Sequence, residues 1–256
     1  MTGESQGLLG PEDPPPFRVV EGEPESPFLL TCDHGGRVVP RALGTLGLAE
    51  QDLDRHIAWD IGAAQLSERL ARALGSFLIV QTYSRLVIDC NRPLRAKSSI
   101  AEISEATLIP GNDGVSELEA ERRAAAVFHP YHARIDHELE RRRKASLPTT
   151  YIAVHSFTPR FLEADRTVEV GVLYNRDTRF AHRVLERLQR ASRWVVGDNE
   201  PYSVSELGDY GVIQHAERRS LPYAELEIRQ DLIADEVGQI EWADILATIL
   251  RDAGKG

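Results

Sequence analysis

Four segments end an apolar run on residues suited to acid, base or ligand chemistry. "FLLTC" runs into Asp33, His34, Gly35 and Gly36, and "RLVID" runs into Asn91 and Arg92. "YIAV" ends on His155 and Ser156, and "AELEIR" carries Glu225 and Glu227. In open α/β sheets ligands bind at the carboxyl ends of strands, so these residues are expected to converge on one crevice. Each has a plainer reading alone. A lone strand-end histidine is more often a hydrogen-bonded structural residue, Asp33 with two glycines can be only a turn, and Arg92 or Glu227 can simply face water. The coincidence at four ends favours a site.

Two histidines and a carboxylate are most economically explained by a metal, because Zn²⁺ takes neutral imidazole and carboxylate oxygen and keeps a position open for water. One divalent ion, zinc, is therefore expected, with His34 and His155 as its first two ligands. The third is less direct: there is no HExxH and no HxxE, since Arg37 stands three residues after His34. "DRHIAWDIGA" supplies Asp54, His56 and Asp60, the last two at i and i+4 on one helical face. Asp60 is preferred over His56; alternatively Asp54 caps the helix and Asp60 holds a neighbour. His129 and His132 in "HPYH" read more simply as packing and capping than as a second metal site, although His132 could line the same pocket. His215 is open between substrate contact and structure.

The elements that must carry these residues alternate between β-branched runs and segments of helical period, the pattern of a three-layer α/β sandwich with a mixed sheet flanked by helices. Strands are expected at 28–32, 77–82, 85–89, 150–155, 168–174, 193–197 and 224–229. "HIAWDIGAAQLSERLARAL" places Ile57, Ile61, Leu66, Leu70 and Leu74 along one side of an amphipathic helix. The charged segment from Ser116 to Ala145 reads as helix on both sides of Pro130, which should kink or divide it. "TRFAHRVLERLQR" and "EWADILATILRDA" complete the helices, and 97–116 reads as a long loop.

The chain has 256 residues with a formal charge of −10, which argues against a general nucleic-acid or anionic-membrane binder and leaves a small molecule as the partner. Two cysteines, Cys32 and Cys90, give no disulfide framework, so a cytoplasmic setting is expected. Residues 1–26 read as a flexible Gly, Pro and Glu-rich arm without the pattern of a secretory signal, ahead of one domain over 27–256. A monomer or small homo-oligomer fits.

In order along the chain, "DHGGRVVP", "DRHIAWDIGA", "SRLVIDCNRP", "IPGN", "HPYH", "VHSFTP", "GVLYNRD", "NEPYS" and "LEIRQDLI" resemble the N-formylglutamate amidohydrolase family, over residues 28 to 233 or so. The resemblance implies a zinc-carboxypeptidase-like fold and hydrolysis of an acyl group from an amino acid's nitrogen. In zinc carboxypeptidases and aspartoacylases an Asn-Arg pair after a strand binds the substrate carboxylate. "DCNRP" is similar, which implies that Arg92, aided by Asn91, grips a carboxylate bidentately. Those relatives also carry a catalytic Glu well beyond a metal-binding His; His155 and Glu227 stand 72 residues apart, which implies Glu227. Glu169 in "TVEVGV" resembles the catalytic strand of aspartoacylases but lies only 14 residues past His155, and ranks below. The departure from carboxypeptidase-type relatives is the missing HxxE at His34.

The expected chemistry is metal-assisted amide hydrolysis. Glu227 takes a proton from water and returns it to the leaving amine, Arg85 or Arg37 stabilises the oxyanion, and Tyr202 closes over the substrate. The rivals are a carboxypeptidase-like enzyme, a deacylase of another N-acyl amino acid, and a binding protein that has lost the metal.

Overall fold

Seven segments, most of them apolar, pair into one mixed sheet. They are β1 (Phe17–Val20), β2 (Phe28–Cys32), β3 (Phe77–Gln81), β4 (Thr150–Phe157), β5 (Val170–Leu173), β6 (Val196–Asp198) and β7 (Tyr223–Arg229). Their spatial order is β1-β3-β2-β4-β7-β5-β6. The centre, β3-β2-β4-β7, is parallel, while β1 and β5 run antiparallel to their neighbours β3 and β7. The computed structural model describes residues 7–255. No helix among these is long and apolar enough to cross a membrane.

The central strands are buried on both faces, and the period-two alternation of strand side chains sorts them into two cores. Leu30, Ile152, Val154, Leu226 and Ile228 pack against α1 (Ala63–Leu74), α4 (Arg179–Ala191) and α5 (Glu236–Gly254). Leu29, Tyr151, Ala153 and Tyr223 pack on the other face against α3 (His129–Lys144), the turn before it, which follows α2 (Glu117–Arg123), and the surrounding loops. The expected three-layer architecture is the one observed. Alternation then assigns His155, Glu225 and Glu227 to the second face, with Tyr151, Ala153 and Tyr223.

Local structure departs from the sequence reading in four places. Residues 85–89 are not a strand: 85–87 form a turn, and 88 and 89 are irregular. Leu86, Val87 and Ile88 are buried as expected, but the Leu86 carbonyl accepts from Asn112 Nδ2 at 2.9 Å and the Val87 carbonyl from Arg123 Nη1 at 3.1 Å. Side chains and the carbonyls of Ala58, Ser84 and Ser99, not a neighbouring strand, satisfy this backbone. The helix expected from His56 begins at Ala63, because Gly62 takes φ +80° and a Cβ there would stand 2.2 Å from the Ile233 carbonyl oxygen. His56 and Asp60 therefore lie on turns before α1, not on a helical face.

The segment is helical on both sides of Pro130 as expected, but it divides at Ala124–Phe128 and not at Pro130. A π-helical turn, Ala124–Phe128, joins α2 to α3, and Pro130 falls in the first turn of α3, where a missing N–H is least costly. Finally, β1 pairs with β3 from within the stretch read as a flexible arm, Phe17 opposite Gln81 through Val20 opposite Leu78. The first six residues of that stretch lie outside the described residues.

Candidate active site

The carboxyl ends of β2, β4 and β7 open on a cavity of about 590 Å³. His34 follows β2, His155 sits near the end of β4, and Glu227 of β7 is in register with His155. Asp60 reaches the same place from the turn before α1, held by its own N–H to the His34 carbonyl at 2.9 Å. Its Oδ2 lies 2.9 Å from His155 Nδ1 and 3.6 Å from His34 Nδ1. Ligand atoms of His34, Asp60 and His155 all lie within 4.8 Å of one another, and all three residues are buried.

Whether this trio suits a metal is decided by its nitrogens. His34 Nδ1 and His155 Nε2 are buried without a hydrogen-bond partner. Burial drives His34 down to about 4, so its ring is neutral near pH 7. Its Nε2 is 2.7 Å from Asp89 Oδ1; burial works to raise Asp89, but His34, Arg92 and Arg85 together hold it below the usual carboxylate range. A neutral ring donating Nε2–H to an ionised Asp89 keeps the Nδ1 lone pair bare, the tautomer a metal ligand requires. The trio could hold a divalent ion.

Two more carboxylates share the cavity. Glu225 and Glu227 are buried, and the Oε2 of each meets no hydrogen-bond partner. Burial pushes both up to about 7, with His155 opposing the rise in each case and Glu225 adding to it at Glu227. A carboxyl group near neutrality can take a proton and give it back, the property a general base needs.

Of the residues singled out in the sequence, His34, His56, Asp60, Arg85, Asn91, Arg92, His155, Tyr202 and Glu227 all line the cavity. His56 is not in the ligand trio; its Nε2 stands 3.5 Å from Glu105. Arg85 pairs with Asp60, and its Nε has no hydrogen-bond partner. Asn91 holds the loop beside it: its Oδ1 accepts the N–H groups of Tyr210 at 3.1 Å and Gly211 at 2.9 Å. Arg92 Nη1 donates to the Gly208 carbonyl and, at 3.0 Å, to Asp209. Tyr202 accepts from Arg166 at 2.8 Å.

Four residues fall elsewhere. His132 is buried outside the cavity, with Nε2 2.9 Å from the Cys90 carbonyl and Nδ1 2.8 Å from His215 Nε2. His215 is bound in turn to Asp136 at 3.0 Å. Glu169 accepts the Val195 N–H at 2.8 Å and does not line the cavity. Arg37 is an exposed residue paired with Asp54. The sequence gives Glu225 no role by itself, but its spacing of two from Glu227 puts both on one strand face.

The family profile described as N-formylglutamate amidohydrolase matches residues 26–234. A gene product of Agrobacterium tumefaciens shares 32% identity and superposes with a TM-score of 0.94, over 97% of this chain and 98% of that one. An N-formylglutamate amidohydrolase from Ralstonia eutropha shares 20% identity with a TM-score of 0.67, over 94% of this chain and 97% of that one, a likeness of fold. No curated protein matches the chain.

Proposed function

Because the chain belongs to the N-formylglutamate amidohydrolase family, we propose that it is a zinc-dependent hydrolase that removes the N-formyl group from an amino acid. The observation that carries this reading is the His34, Asp60 and His155 trio beside Glu227, a bare-nitrogen ligand set next to a carboxyl group held near neutrality. His34, Asp60 and His155 would hold the ion. When bound, a divalent cation acts as a Lewis acid, drawing charge from a carbonyl oxygen and making water easier to deprotonate.

The remaining steps belong to the chain's own groups. Glu227 takes the proton of the attacking water and delivers it to the nitrogen as the C–N bond breaks, so that formate and the free amino acid leave. Arg85 steadies the oxyanion of the tetrahedral intermediate with its Nε–H, which the fold leaves free, and burial makes that contact stronger than it would be in water. Asn91 keeps the 208–211 loop in place, and Arg92 offers its Nη2 edge to the amino acid's carboxylate. Tyr202 covers the opening.

Formate release from a panel of N-formyl amino acids, run beside release of free amino acids from short peptides, tests the substrate class. Formate without peptide cleavage is the expected result; peptide cleavage alone would replace this reading with a carboxypeptidase.

A further inference from the structure

Glu225 lines the cavity and has no part in that reaction. Glu225 precedes Glu227 by two residues on the same face of β7, opposite Ala153 of β4 and Leu173 of β5, and so sits farther from the carboxyl edge and deeper in the crevice. It is 4% exposed, and its Oε2 has no hydrogen-bond partner. It is not one of the three residues that could hold the ion.

The guanidinium on this side of the cavity has only its Nη2 edge left, the edge assigned above to the substrate's carboxylate. Arg92 gives Nη1 to Gly208 and Asp209, and its Nε lies 3.8 Å from Asp89 Oδ2. One cation thus serves two carboxylates before Glu225 is counted. A buried carboxylate without a close counter-charge is disfavoured, and a cation set against it offsets that cost. Leu173 and Phe157, which also line the cavity, are apolar surface along which a methylene stem can lie while its charged end meets the carboxylate.

Resting on the amidohydrolase reading above, we infer that Glu225 forms the floor of a subsite for a cationic side chain, so that the substrate is the N-acyl derivative of a basic amino acid. An acidic side chain in the same place would set carboxylate against carboxylate.

The test compares kcat/KM for N-formyl-L-lysine, N-formyl-L-norleucine and N-formyl-L-glutamate with the zinc-supplied enzyme. Lysine and norleucine share the four-carbon stem and differ in the ammonium. Lysine is expected to exceed each of the others by at least about tenfold, and Glu225→Gln to bring the lysine-to-norleucine ratio within about threefold of unity. A wild-type preference for glutamate, equal rates for lysine and norleucine, or an unchanged ratio in folded Glu225→Gln protein would overturn the inference. If no N-formyl amino acid is cleaved, the hydrolase reading fails, and calorimetric titration with free L-lysine and L-norleucine decides the subsite separately: tighter lysine binding sustains it and equal binding overturns it.

Discussion

His34 Nε2 stands 2.7 Å from Asp89 Oδ1, and the same oxygen accepts the N–H of Asn91 at 2.8 Å. One buried carboxylate thus ties the first histidine of the metal trio to the segment that carries Asn91 and Arg92. Asp89→Asn removes the charge that fixes the His34 tautomer while keeping the side chain's size. Divalent-metal affinity, measured by competition with a chelator, is expected to fall about 10-fold to 100-fold with the fold retained. Unchanged affinity would show that Asp89 only braces the turn.

Glu227→Gln keeps size and most hydrogen bonding but cannot accept a proton, so kcat is expected to fall by about 10² to 10⁴ with metal content unchanged. Glu169→Gln is the matched control. Glu169 is engaged with the Val195 N–H away from the cavity, so its loss belongs in stability and not in kcat. The reverse pattern would move the base to Glu169.

Much of the fold is legible because its strands and helices state their burial in their period: Phe28 to Cys32, Thr150 to Phe157 and Arg179 to Ala191 all appear where an apolar run or stripe predicts them. The misreadings share a cause. Leu86, Val87 and Ile88, and likewise Ile57 and Ala58, are apolar because a core covers them, and burial does not distinguish a strand or helix from a turn tied down by Asn112, Arg123 or Ser84. β1 escaped notice because four residues of half-buried strand, set among prolines, owe their place to β3 and not to their own pattern. At the site, residue types and strand ends were readable. The exclusion of His132 was not, since only the tertiary structure shows both its nitrogens occupied.

His132→Phe tests that buried chain. It leaves the Cys90 carbonyl and His215 Nε2 without their partner, which is expected to lower stability by about 2–4 kcal/mol in urea unfolding. Because Cys90 lies between Asp89 and Asn91, KM is expected to rise as well. A stable variant with wild-type KM would show that His132 does not brace the 89–91 segment.

Glu225 and Glu227 are raised from 4.5 to about 7 in the folded chain. Between those values the folded state binds more protons than the unfolded one, so metal-free protein loses stability as pH rises through that window, and the loss is complete above it. Glu227→Gln removes one such group and is expected to stabilise metal-free protein at about pH 8 by about 1–3 kcal/mol, with little effect near pH 4.5. Thermal melts at the two pH values check it; equal shifts at both would contradict it.

The central claim is that one ion, held by His34, Asp60 and His155, is needed for hydrolysis. The direct measurement is zinc titration of chelated protein while formate release from an N-formyl amino acid is followed. Activity that is absent at the start, rises linearly and breaks at one ion per chain, with the break lost in His34→Ala, is the predicted result. Full activity before any metal is added, in protein shown by elemental analysis to be metal-free, would contradict it.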